Sequence, residues 1–436
     1  MQLQRNRLLR VGTPAHLIRT IAQWYGGVVI VTGLMDAGRK LYVFLVFAML
    51  TFHNYRDIFE TGGKTFRLFC RLTIMVWGCG LMVSCTTSEK EQRNFKEIRF
   101  SRKDLPETVK LKLLRTITIP GFYTPLWMFR IENNLLIVDL NHREGILAVY
   151  SLSKDSLLRV MMPKGNGPFE IQSISSIVTD GHRNIYFYDT QERRLLQGHL
   201  DSLAYSVHQP RFYKRLRWTY TTDTPLSIIN HSDSTYLSTS ELGHGGRFNI
   251  LNHRFEFSPE YFGEYPDLEH TREIKNMTHT EYRVNVLSNL FSHGICLSSD
   301  RQSLVVAYLR VDCIEVFDMK SRALRYRIIG PEQNFPPRYK LNKAGQGLPC
   351  SECYAGYSSP QVTSNYILSL RRYRQDKEWN SHLSRYIYVF SQAGTVKKIL
   401  ELDEDIISFV IDEERGRLYG LVVDAPYAVV EYELQI

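Results

Sequence analysis

The sequence predicts an all-β fold, a six-bladed β-propeller, on three observations. A strand–turn–strand unit recurs six times after about residue 125, and aromatic residues, which favour strands, make up 12% of the chain. Apolar residues show no period of about 3.6 that would indicate amphipathic helices. Repeats of about 40–60 residues with three or four strands each are typical of propeller blades. At 436 residues with 44% hydrophobic content, the chain is large enough to bury the core of such a ring.

The six copies share one pattern. An apolar strand leads into a polar turn, a second strand rich in Tyr, Leu, Ile and Val follows, and a third, alternating strand comes after a loop. The hairpins cover residues 129–140, 176–190, 226–240, 293–308, 359–370 and 406–423. Their turns lie 48 to 67 residues apart, at Glu132, Asp180, Ser232, Ser299, Thr363 and Asp412. Asn, Asp, Gly and Ser dominate these turns, as tight hairpins require.

The two ends of the repeat region predict how the ring closes. The sixth copy stops after its third strand, near Ile436, while Leu111–Ile119 ("LKLLRTITI") is a strand without a blade of its own. Pairing Leu111–Ile119 with Tyr427–Leu434 would complete the last blade and remove an exposed strand edge. We therefore expect the last blade to be closed by an N-terminal strand.

The charge distribution argues against nucleic acid as a partner. The formal net charge is +9, but residues 1–84 hold 10 Lys and Arg against 3 Asp and Glu. The remaining 44 basic and 42 acidic residues leave the body of the chain nearly neutral. Neutralising phosphates needs clustered Lys and Arg, and the sequence of the body lacks such clusters.

The residues before the repeats are predicted to be a non-globular leader. Three apolar stretches occur there, Gly26–Met35, Leu41–Phe52 and Leu72–Val83, and each is shorter than the roughly 18–20 residues that span a bilayer as a helix. Leu72–Val83 has the length of a signal-peptide core and follows Arg67 and Arg71. It runs into Met-Val-Ser-Cys, which resembles the lipobox of bacterial lipoproteins, where the cysteine is lipidated and becomes the new N-terminus.

This pattern predicts four segments. Residues 1–66 are a misassigned or upstream extension, residues 67–84 a lipoprotein signal peptide, residues 85–104 a flexible tether beginning at the lipidated Cys85, and residues 105–436 the propeller. Translation would then start at a non-AUG codon near Leu68 or Leu72. Two alternatives stay open: Leu72–Val83 as a buried core segment, or that stretch or Leu41–Phe52 as an uncleaved membrane anchor.

Four cysteines fall in the body of the chain, Cys296, Cys313, Cys350 and Cys353. Cys350 and Cys353 have the C-x-x-C spacing and follow a loop with Gly and Pro. A structural zinc site needs four ligands, and a thioredoxin-like site needs a strand–helix context, and the sequence offers neither. The pair is therefore predicted to form a local disulfide or to stay as two free thiols, with metal binding and redox chemistry as less favoured alternatives.

The sequence carries no recognisable catalytic motif. It has no G-x-S-x-G, H-E-x-x-H or Walker motif, and its 13 histidines follow no metal-ligand spacing. We therefore assign no catalytic residue, no metal and no cofactor. Carboxylates from separate blades could still meet in the funnel of a ring, as glycoside hydrolysis requires, so an enzyme stays open as the alternative.

Two long connections interrupt the repeat, Glu260–Leu290 and Pro331–Tyr357. Long loops on a rigid scaffold tend to carry function. Their aromatic residues are candidates for a binding rim: Tyr261, Tyr265, Tyr282, Phe335, Tyr339 and Tyr354. Alternatively, these side chains pack against the blades and extend a blade edge.

A family pattern lies within Pro163–Asp201. It consists of a Gly-x-Gly-Pro-Gly-Glu turn, an apolar strand and a strand that ends in Tyr-x-x-Asp. The matching residues are Gly165, Gly167, Pro168, Glu170, Tyr186 and Asp189, while Phe169 stands where the pattern has glycine. With these motifs and the C-terminal strands, residues 105–436 resemble the TolB-like six-bladed β-propeller lipoproteins of Bacteroidetes. The resemblance implies a six-bladed ring and an exported lipoprotein, and it implies no catalytic residues.

These observations favour a lipoprotein of the cell envelope, anchored in the outer membrane by the lipid on Cys85, on its periplasmic or its surface face. The propeller would serve as a non-catalytic binding scaffold for a protein, peptide or glycan. The alternative is a hydrolase or lyase for glycans or peptides, with its site in the funnel of the ring.

Overall fold

A computed structural model gives the fold of the chain. It describes residues 19–25, 28–36, 41–48, 95–167, 170–205, 213–218, 224–240, 247–265, 287–288, 290–332, 339–341, 347–349, 356–372, 382–423 and 427–436. The chain forms two compact units, Met1–Arg93 and Asn94–Ile436. The predicted signal peptide and Cys85, Cys350 and Cys353 lie outside the described residues.

The first unit contains a three-stranded antiparallel sheet. Its strands are β1 (Arg19–Tyr25), β2 (Val28–Asp36) and β3 (Leu41–Ala48). The leader thus differs from the predicted non-globular segment, because runs of 7 to 9 residues rich in Val, Ile, Phe and Tyr suit strands. In the described part of the chain, no helix is long and apolar enough to cross a membrane.

The second unit opens with four short elements. They are β4 (Lys96–Arg99), the 3-10 helix η1 (Arg102–Asp104), β5 (Thr108–Lys110) and β6 (Leu113–Thr118). The three strands pair with strands formed by residues much later in the chain, as described below.

Four sheets follow, each with four consecutive antiparallel strands at its centre. Sheet 1 contains β7 (Pro125–Ile131), β8 (Asn134–Asp139), β9 (Leu147–Ser151) and β10 (Ser156–Met161). Sheet 2 contains β11 (Ser176–Thr179), β12 (Asn184–Asp189), β13 (Arg194–His199) and β14 (Tyr213–Arg217), and the helix α1 (Leu200–Tyr205) follows β13 in the chain. Sheet 3 contains β15 (Pro225–Asn230), β16 (Tyr236–Ser240), β17 (Phe248–Leu251) and β18 (Phe257–Phe262). Sheet 4 contains β19 (His293–Leu297), β20 (Ser303–Tyr308), β21 (Cys313–Asp318) and β22 (Ala323–Ile329).

The C-terminal part forms a two-stranded ribbon and an eight-stranded sheet. The ribbon pairs β23 (Tyr339–Leu341) with β24 (Gly347–Pro349). The large sheet contains β25 (Tyr357–Val362), β26 (Tyr366–Arg371), β27 (Ser384–Ser391), β28 (Val396–Asp412), β29 (Arg417–Val422), β30 (Ala428–Glu433) and, at its edge, β6. Its eighth strand is β5, which pairs with β28.

The six predicted hairpins are all confirmed. They join β7 to β8, β11 to β12, β15 to β16, β19 to β20, β25 to β26 and β28 to β29. Left-handed backbone at Glu132 (φ 52°), Arg183 (φ 61°) and Arg301 (φ 58°) lets the chain reverse within a few residues. In the second hairpin the Asp180 carboxylate also accepts the backbone N–H groups of His182 and Asn184, each at 2.9 Å. The polar turn residues of the sequence pattern therefore fix these reversals directly.

The strand β28 divides the eight-stranded sheet into two halves. Its first part pairs with β27, as at Leu400 opposite Ile387. Its second part pairs with β29, as at Phe409 opposite Gly420. One long strand is thus the outer strand of the half that begins with β25 and the inner strand of the half that ends with β6.

The hydrophobic core is divided into clusters between neighbouring sheets. One cluster lies between sheets 1 and 2, one between sheets 2 and 3, one between sheets 3 and 4, and one between sheet 4 and the first half of the large sheet. A fifth lies between the two halves of the large sheet, and a sixth between its second half and sheet 1. The sheets therefore contact one another in a closed cycle, which makes the second unit an all-β propeller.

The strand β6 closes this cycle as the sequence predicts. It pairs antiparallel with β30, with Ile117 opposite Val429 and Arg115 opposite Glu431. On the far side of the same half, Arg130 Nη2 of sheet 1 lies 2.9 Å from the Asp412 carboxylate. The N-terminal and C-terminal parts of the propeller are therefore held together by strand pairing and by an ion pair.

The strand β4 corrects the predicted boundary of the tether, whereas β5 lies within the predicted propeller. They pair parallel with the outer strands β22 and β28, with Ile98 opposite Ile328 and Val109 opposite Leu400. Phe100, just after β4, is buried in the cluster between sheet 4 and the large sheet. The segment 95–104 therefore belongs to the propeller, because its three apolar residues, Phe95, Ile98 and Phe100, pack at an existing sheet edge.

The two ends of the sheets differ. Polar turns contact one another from sheet to sheet at one end, which we call the turn face: Gly181 N donates to the Asp233 carbonyl at 3.3 Å, and Arg415 Nη2 donates to Asn133 Oδ1 at 2.7 Å. The opposite end, which we call the loop face, bears the connections from sheet to sheet. The strand ends that border the two long connections lie at this end: Phe262, His293, Ile329 and Tyr357. Both predicted functional loops therefore begin and end on one face.

The closing strand yields a stability prediction. Ile117 is 6% exposed in the cluster between the large sheet and sheet 1, whereas its neighbour Thr116 is exposed. Ile117→Ala should lower the free energy of unfolding by about 2–4 kcal/mol, since it leaves a cavity at the closure. Thr116→Ala is the matched control and should change it by less than about 0.5 kcal/mol. Urea denaturation of both variants measures this, and equal effects would contradict the closure.

Candidate binding site on the loop face

A cluster of charged side chains is buried between sheets 3 and 4, near the loop face. Arg247 directly precedes β17, Tyr308 ends β20, and Glu315 and Arg327 lie opposite each other on β21 and β22. With His293, the first residue of β19, we call these residues the Arg247 cluster. Cross-strand register brings Glu315 and Arg327 together, and the packing of sheet 3 on sheet 4 brings Arg247 to them.

The Glu315 carboxylate is the centre of the cluster. Its Oε2 accepts hydrogen bonds from Arg247 Nη1 at 3.0 Å and from the Tyr308 hydroxyl at 2.5 Å. Its Oε1 accepts from Arg327 Nε at 2.9 Å and Nη2 at 2.5 Å. The side chains of Arg247 and Glu315 are 1% exposed and that of Arg327 is 5% exposed. Both carboxylate oxygens are therefore fully used.

The charge state of Glu315 follows from its neighbours. Burial alone would raise the pKa of this carboxyl, but Arg247 and Arg327 outweigh it and hold the pKa below its ordinary value. Burial raises the pKa of the Tyr308 hydroxyl well above its usual range. The cluster thus contains one carboxylate, two guanidinium groups and a neutral phenol at neutral pH.

Three aromatic rings enclose the Arg247 guanidinium. Its Cζ lies 4.7 Å from the ring centroid of Phe248, 4.9 Å from that of Tyr308 and 5.3 Å from that of Tyr265. Such rings stabilise a cation through their faces, and the Tyr308 hydroxyl also accepts a hydrogen bond from Arg247 Nη1 at 2.6 Å. Among the described residues, Arg247 Nε and Nη2 have no hydrogen-bond partner.

His293 lies against the same rings, 5.9 Å from Phe248 and 6.0 Å from Tyr308 between centroids. Its Nδ1 donates to the Phe291 carbonyl at 2.6 Å, so the buried Nε2 carries the lone pair, and that atom has no partner in the described part of the chain. Burial and the charge of Arg247 lower the pKa of His293 to about 3. The imidazole is therefore neutral at physiological pH.

A second buried ion pair braces sheet 4 against the large sheet. Arg371 Nη1 lies 3.0 Å from Asp312 Oδ1, and both side chains are 0% exposed. The Arg371 guanidinium stacks 4.6 Å from the Tyr357 ring, and Asp312 Oδ2 accepts the Glu332 N–H at 2.7 Å. Burial raises the pKa of Asp312 although Arg371 opposes the shift.

The residues of the family turn have structural partners. The Glu170 carboxylate accepts the Gly167 N–H at 2.8 Å, and a side chain at Gly165 would collide with that carboxylate. Arg194 Nη2 donates to the Glu170 carbonyl at 2.7 Å, and its Nε donates to Asp189 at 3.4 Å. These residues hold the connection between sheets 1 and 2, while Pro168 and Phe169 lie outside the described residues.

Of the six predicted rim residues, the structure describes Tyr261, Tyr265 and the backbone of Tyr339. Tyr261 is 52% exposed on the outer strand β18, whereas Tyr265 packs on Phe291 at 5.8 Å and on Arg247. Tyr339 contributes backbone to β23. Tyr282, Phe335 and Tyr354 lie outside the described residues, as do Cys85, Cys350 and Cys353. Sequence reasoning named Tyr265 but missed Arg247, Glu315 and Arg327.

A shallow cleft of 340 Å³ lies on the turn face between sheets 2 and 3. Its lining residues are Asp180, His182, Asn184, Tyr186, Gln197, Asp233, Ser234, Tyr236 and His253. Asp180 caps its own turn, and Asp233 pairs with Arg301 at 3.2 Å. Among the described residues, no group of three or more His, Cys, Asp or Glu could hold a metal ion. Cys296 and Cys313 are free thiols.

Comparison with known proteins gives a family and a fold. Residues 106–414 match the family described as TolB-like 6-blade propeller-like. No curated protein matches the chain. Among solved structures, a Bacteroides fragilis protein described as exported is 13% identical and superposes with a TM-score of 0.48, covering 78% of this chain and 100% of its own. A member of the duf4221 family from Bacteroides vulgatus is 11% identical, with a TM-score of 0.45, covering 74% and 97%.

The buried imidazole yields a pH prediction. The lowered pKa of His293 means that the folded chain binds fewer protons than the unfolded chain. Above the ordinary pKa of 6.5, His293 therefore adds no pH dependence to the free energy of unfolding. As the pH falls from there towards about 3, the free energy of unfolding decreases by roughly 1 kcal/mol per pH unit. His293→Gln should remove this slope, whereas the exposed His182→Gln should keep it. Urea denaturation at several pH values measures both, and parallel curves for wild type and His293→Gln would refute the assignment.

Proposed function

We propose that this chain, which belongs to the TolB-like 6-blade propeller-like family, is a lipid-anchored, non-catalytic binding protein of the cell envelope. In this proposal Cys85 carries the lipid, the ring has six blades, and the loop face binds a protein, peptide or glycan.

The six-blade count is supported by the way the sheets pack. Sheets 1 to 4 supply one blade each, and the two halves of the eight-stranded sheet supply the fifth and sixth. The strand β28 would then run uninterrupted from the outer edge of the fifth blade to the inside of the sixth. One buried hydrophobic cluster for each pair of neighbouring blades fits this count.

The anchor is supported by the lipobox-like sequence and by the position of β4. Phe95 packs its ring 4.8 Å from the Arg327 guanidinium, so the propeller begins ten residues after Cys85. Nine residues, 86–94, then separate the lipid from the ring. Extended chain spans about 3.3 Å per residue, so the blade edge would lie within roughly 30 Å of the membrane surface. The protein would work close to the bilayer.

The buried carboxylates support a binding role over hydrolysis, because their oxygens accept hydrogen bonds and ion pairs within the fold. Glu315 accepts four hydrogen bonds from Arg and Tyr, and Asp312 is paired with Arg371. Asp139 accepts three backbone N–H groups, from Tyr123, Thr124 and Asn141. A general acid or a nucleophile needs a carboxyl group free to contact substrate. These carboxylates are instead committed to holding the fold.

The loop face is favoured because rigid sheets carry the long connections there. Arg247 and Tyr265 flank the start of one of them, and Asp312 binds the N–H of Glu332 in the other. Long loops on a rigid scaffold are the common place for binding residues. The turn face, by contrast, is made of turns whose polar groups bind one another.

Lipidation is tested by labelling cells that express the full chain with a palmitate analogue. Wild type should incorporate the label, Cys85→Ser should lose at least about 90% of it, and Cys296→Ser, which removes a thiol of the propeller, should keep it. Equal labelling of wild type and Cys85→Ser would exclude the anchor at this residue.

Binding is tested by thermal shift of the full chain against peptides, glycans and divalent metals. A ligand at 100 times its Kd should stabilise the fold by about 2.7 kcal/mol. Mass spectrometry of the same mixtures should show the ligand unchanged after hours. Release of cleaved product by wild type would instead establish the hydrolase.

A further inference from the structure

The Arg247 cluster leaves one edge of a buried guanidinium unused. Nη1 of Arg247 is occupied by Glu315 and Tyr308, at 3.0 and 2.6 Å. Nε and Nη2, which lie side by side on the other edge of the guanidinium plane, find no partner among the described residues. Leaving a buried donor of a charged group unsatisfied is unfavourable, so this edge calls for an acceptor.

The cluster also has a charge to be balanced. Arg247 and Arg327 carry two positive charges, and Glu315 carries one negative charge. Tyr308 and His293 are neutral, as their shifted pKa values require. Within the described residues, the three ions of the cluster therefore sum to +1. Buried charges are stable when they are paired, and a group with one negative charge would complete this pairing.

We propose that the Nε and Nη2 edge of Arg247 binds a carboxylate of the ligand, and that His293 Nε2 accepts a hydrogen bond from a neighbouring N–H or O–H of the same ligand. This rests on the proposed function, in which the loop face binds. It adds the chemical class of the ligand: an organic acid or a peptide with a free C-terminus.

Geometry and charge together favour a carboxylate. The two adjacent N–H groups of a guanidinium edge match the two oxygens of a carboxylate in one plane. A phosphate near neutral pH carries between one and two negative charges and would leave the cluster with excess negative charge. A water molecule would satisfy a donor but would leave the charge of +1 in place. A carboxylate would accept both N–H groups and would also balance the charge of the cluster.

The position of His293 indicates that the ligand also carries a hydrogen-bond donor next to its carboxylate. Its ring and the Arg247 guanidinium pack on the same two rings, Phe248 and Tyr308. Its Nε2 can only accept, because Nδ1 holds the proton for the Phe291 carbonyl. A peptide C-terminus offers an amide N–H next to its carboxylate, and a hydroxy acid offers an O–H in the same place. Both sources share the chemistry of the site.

A ligand would reach Arg247 by passing the side chain of Tyr265. It covers Arg247 at 5.3 Å and is only partly buried. It also stands at the start of the connection 263–292 between sheets 3 and 4. Its ring would move aside or stack on the ligand, which gives the predicted rim residue a role at this position.

The experiment compares ligands that differ only in the carboxylate. Melting temperatures of the full chain are measured with Ala-Ala-Ala against its C-terminal amide, and with sodium lactate against sodium chloride at equal ionic strength. At about ten times the Kd, the acid should raise the melting temperature by about 1–3 °C over its control. The peptide and lactate arms show which source the site prefers.

Two variants locate the effect. Arg247→Lys keeps the charge but removes the paired donors, and it should abolish the difference between acid and amide. Arg371→Lys is the matched control, because Arg371 is an equally buried arginine stacked on a tyrosine and paired with a carboxylate. It should lower the melting temperature and keep the difference.

If Arg247→Lys does not fold, the comparison of acid with amide on the wild-type protein is the test. Equal shifts with the acid and the amide, or no shift in either arm, would overturn the carboxylate site and leave the edge of Arg247 to ordered water. A retained difference in Arg247→Lys would also overturn it. None of these results bears on the lipid at Cys85, and equal shifts with acid and amide would keep the loop-face binding role intact.

Discussion

The pairing of β6 with β30 is the constraint on which the rest of the structure depends. The C-terminal half of the eight-stranded sheet has three strands from the end of the chain, and its fourth comes from residues 113–118. Without that strand the backbone groups of β30 would be an open edge, and the cluster against sheet 1 would lose Ile117. Closure fixes the cyclic order of the sheets. That order in turn decides which connections share a face.

The segment 95–118 extends this closure around the outside of the ring. It pairs in turn with β22, β28 and β30, so it ties three consecutive units together. Ion pairs reinforce it, such as Arg102 to Glu332 at 2.9 Å and Lys110 to Asp403 at 2.5 Å. Exposed pairs of this kind contribute at most about 1 kcal/mol each, so strand pairing and burial are the main stabilising terms. The proposed anchor thus leads directly into the segment that holds the ring closed.

Much of the fold could be predicted from the sequence, and less of the site. Alternating apolar strands around polar turns are local signals, so the six hairpins and the closing strand could be predicted from the sequence. The strands β4 and β5 have 4 and 3 residues, too few to show an alternation, and their pairing with β22 and β28 is set by the folded edge. Glu315 and Arg327 meet through the pairing of β21 with β22, whereas Arg247 is 68 residues from Glu315 and reaches it only through the packing of sheet 3 on sheet 4. The one sequence signal for them was a charged residue within an apolar strand, as in "CIEVFD".

Hydrogen exchange measured by mass spectrometry tests the closed ring most directly, because it reads strand pairing without altering the chain. The account predicts that backbone amides in Leu113–Thr118 and Ala428–Glu433 exchange as slowly as those in the central strand Asn184–Asp189. Rapid exchange in Leu113–Thr118 and Ala428–Glu433, with Asn184–Asp189 still protected, would contradict it. The last sheet would then end in an open edge.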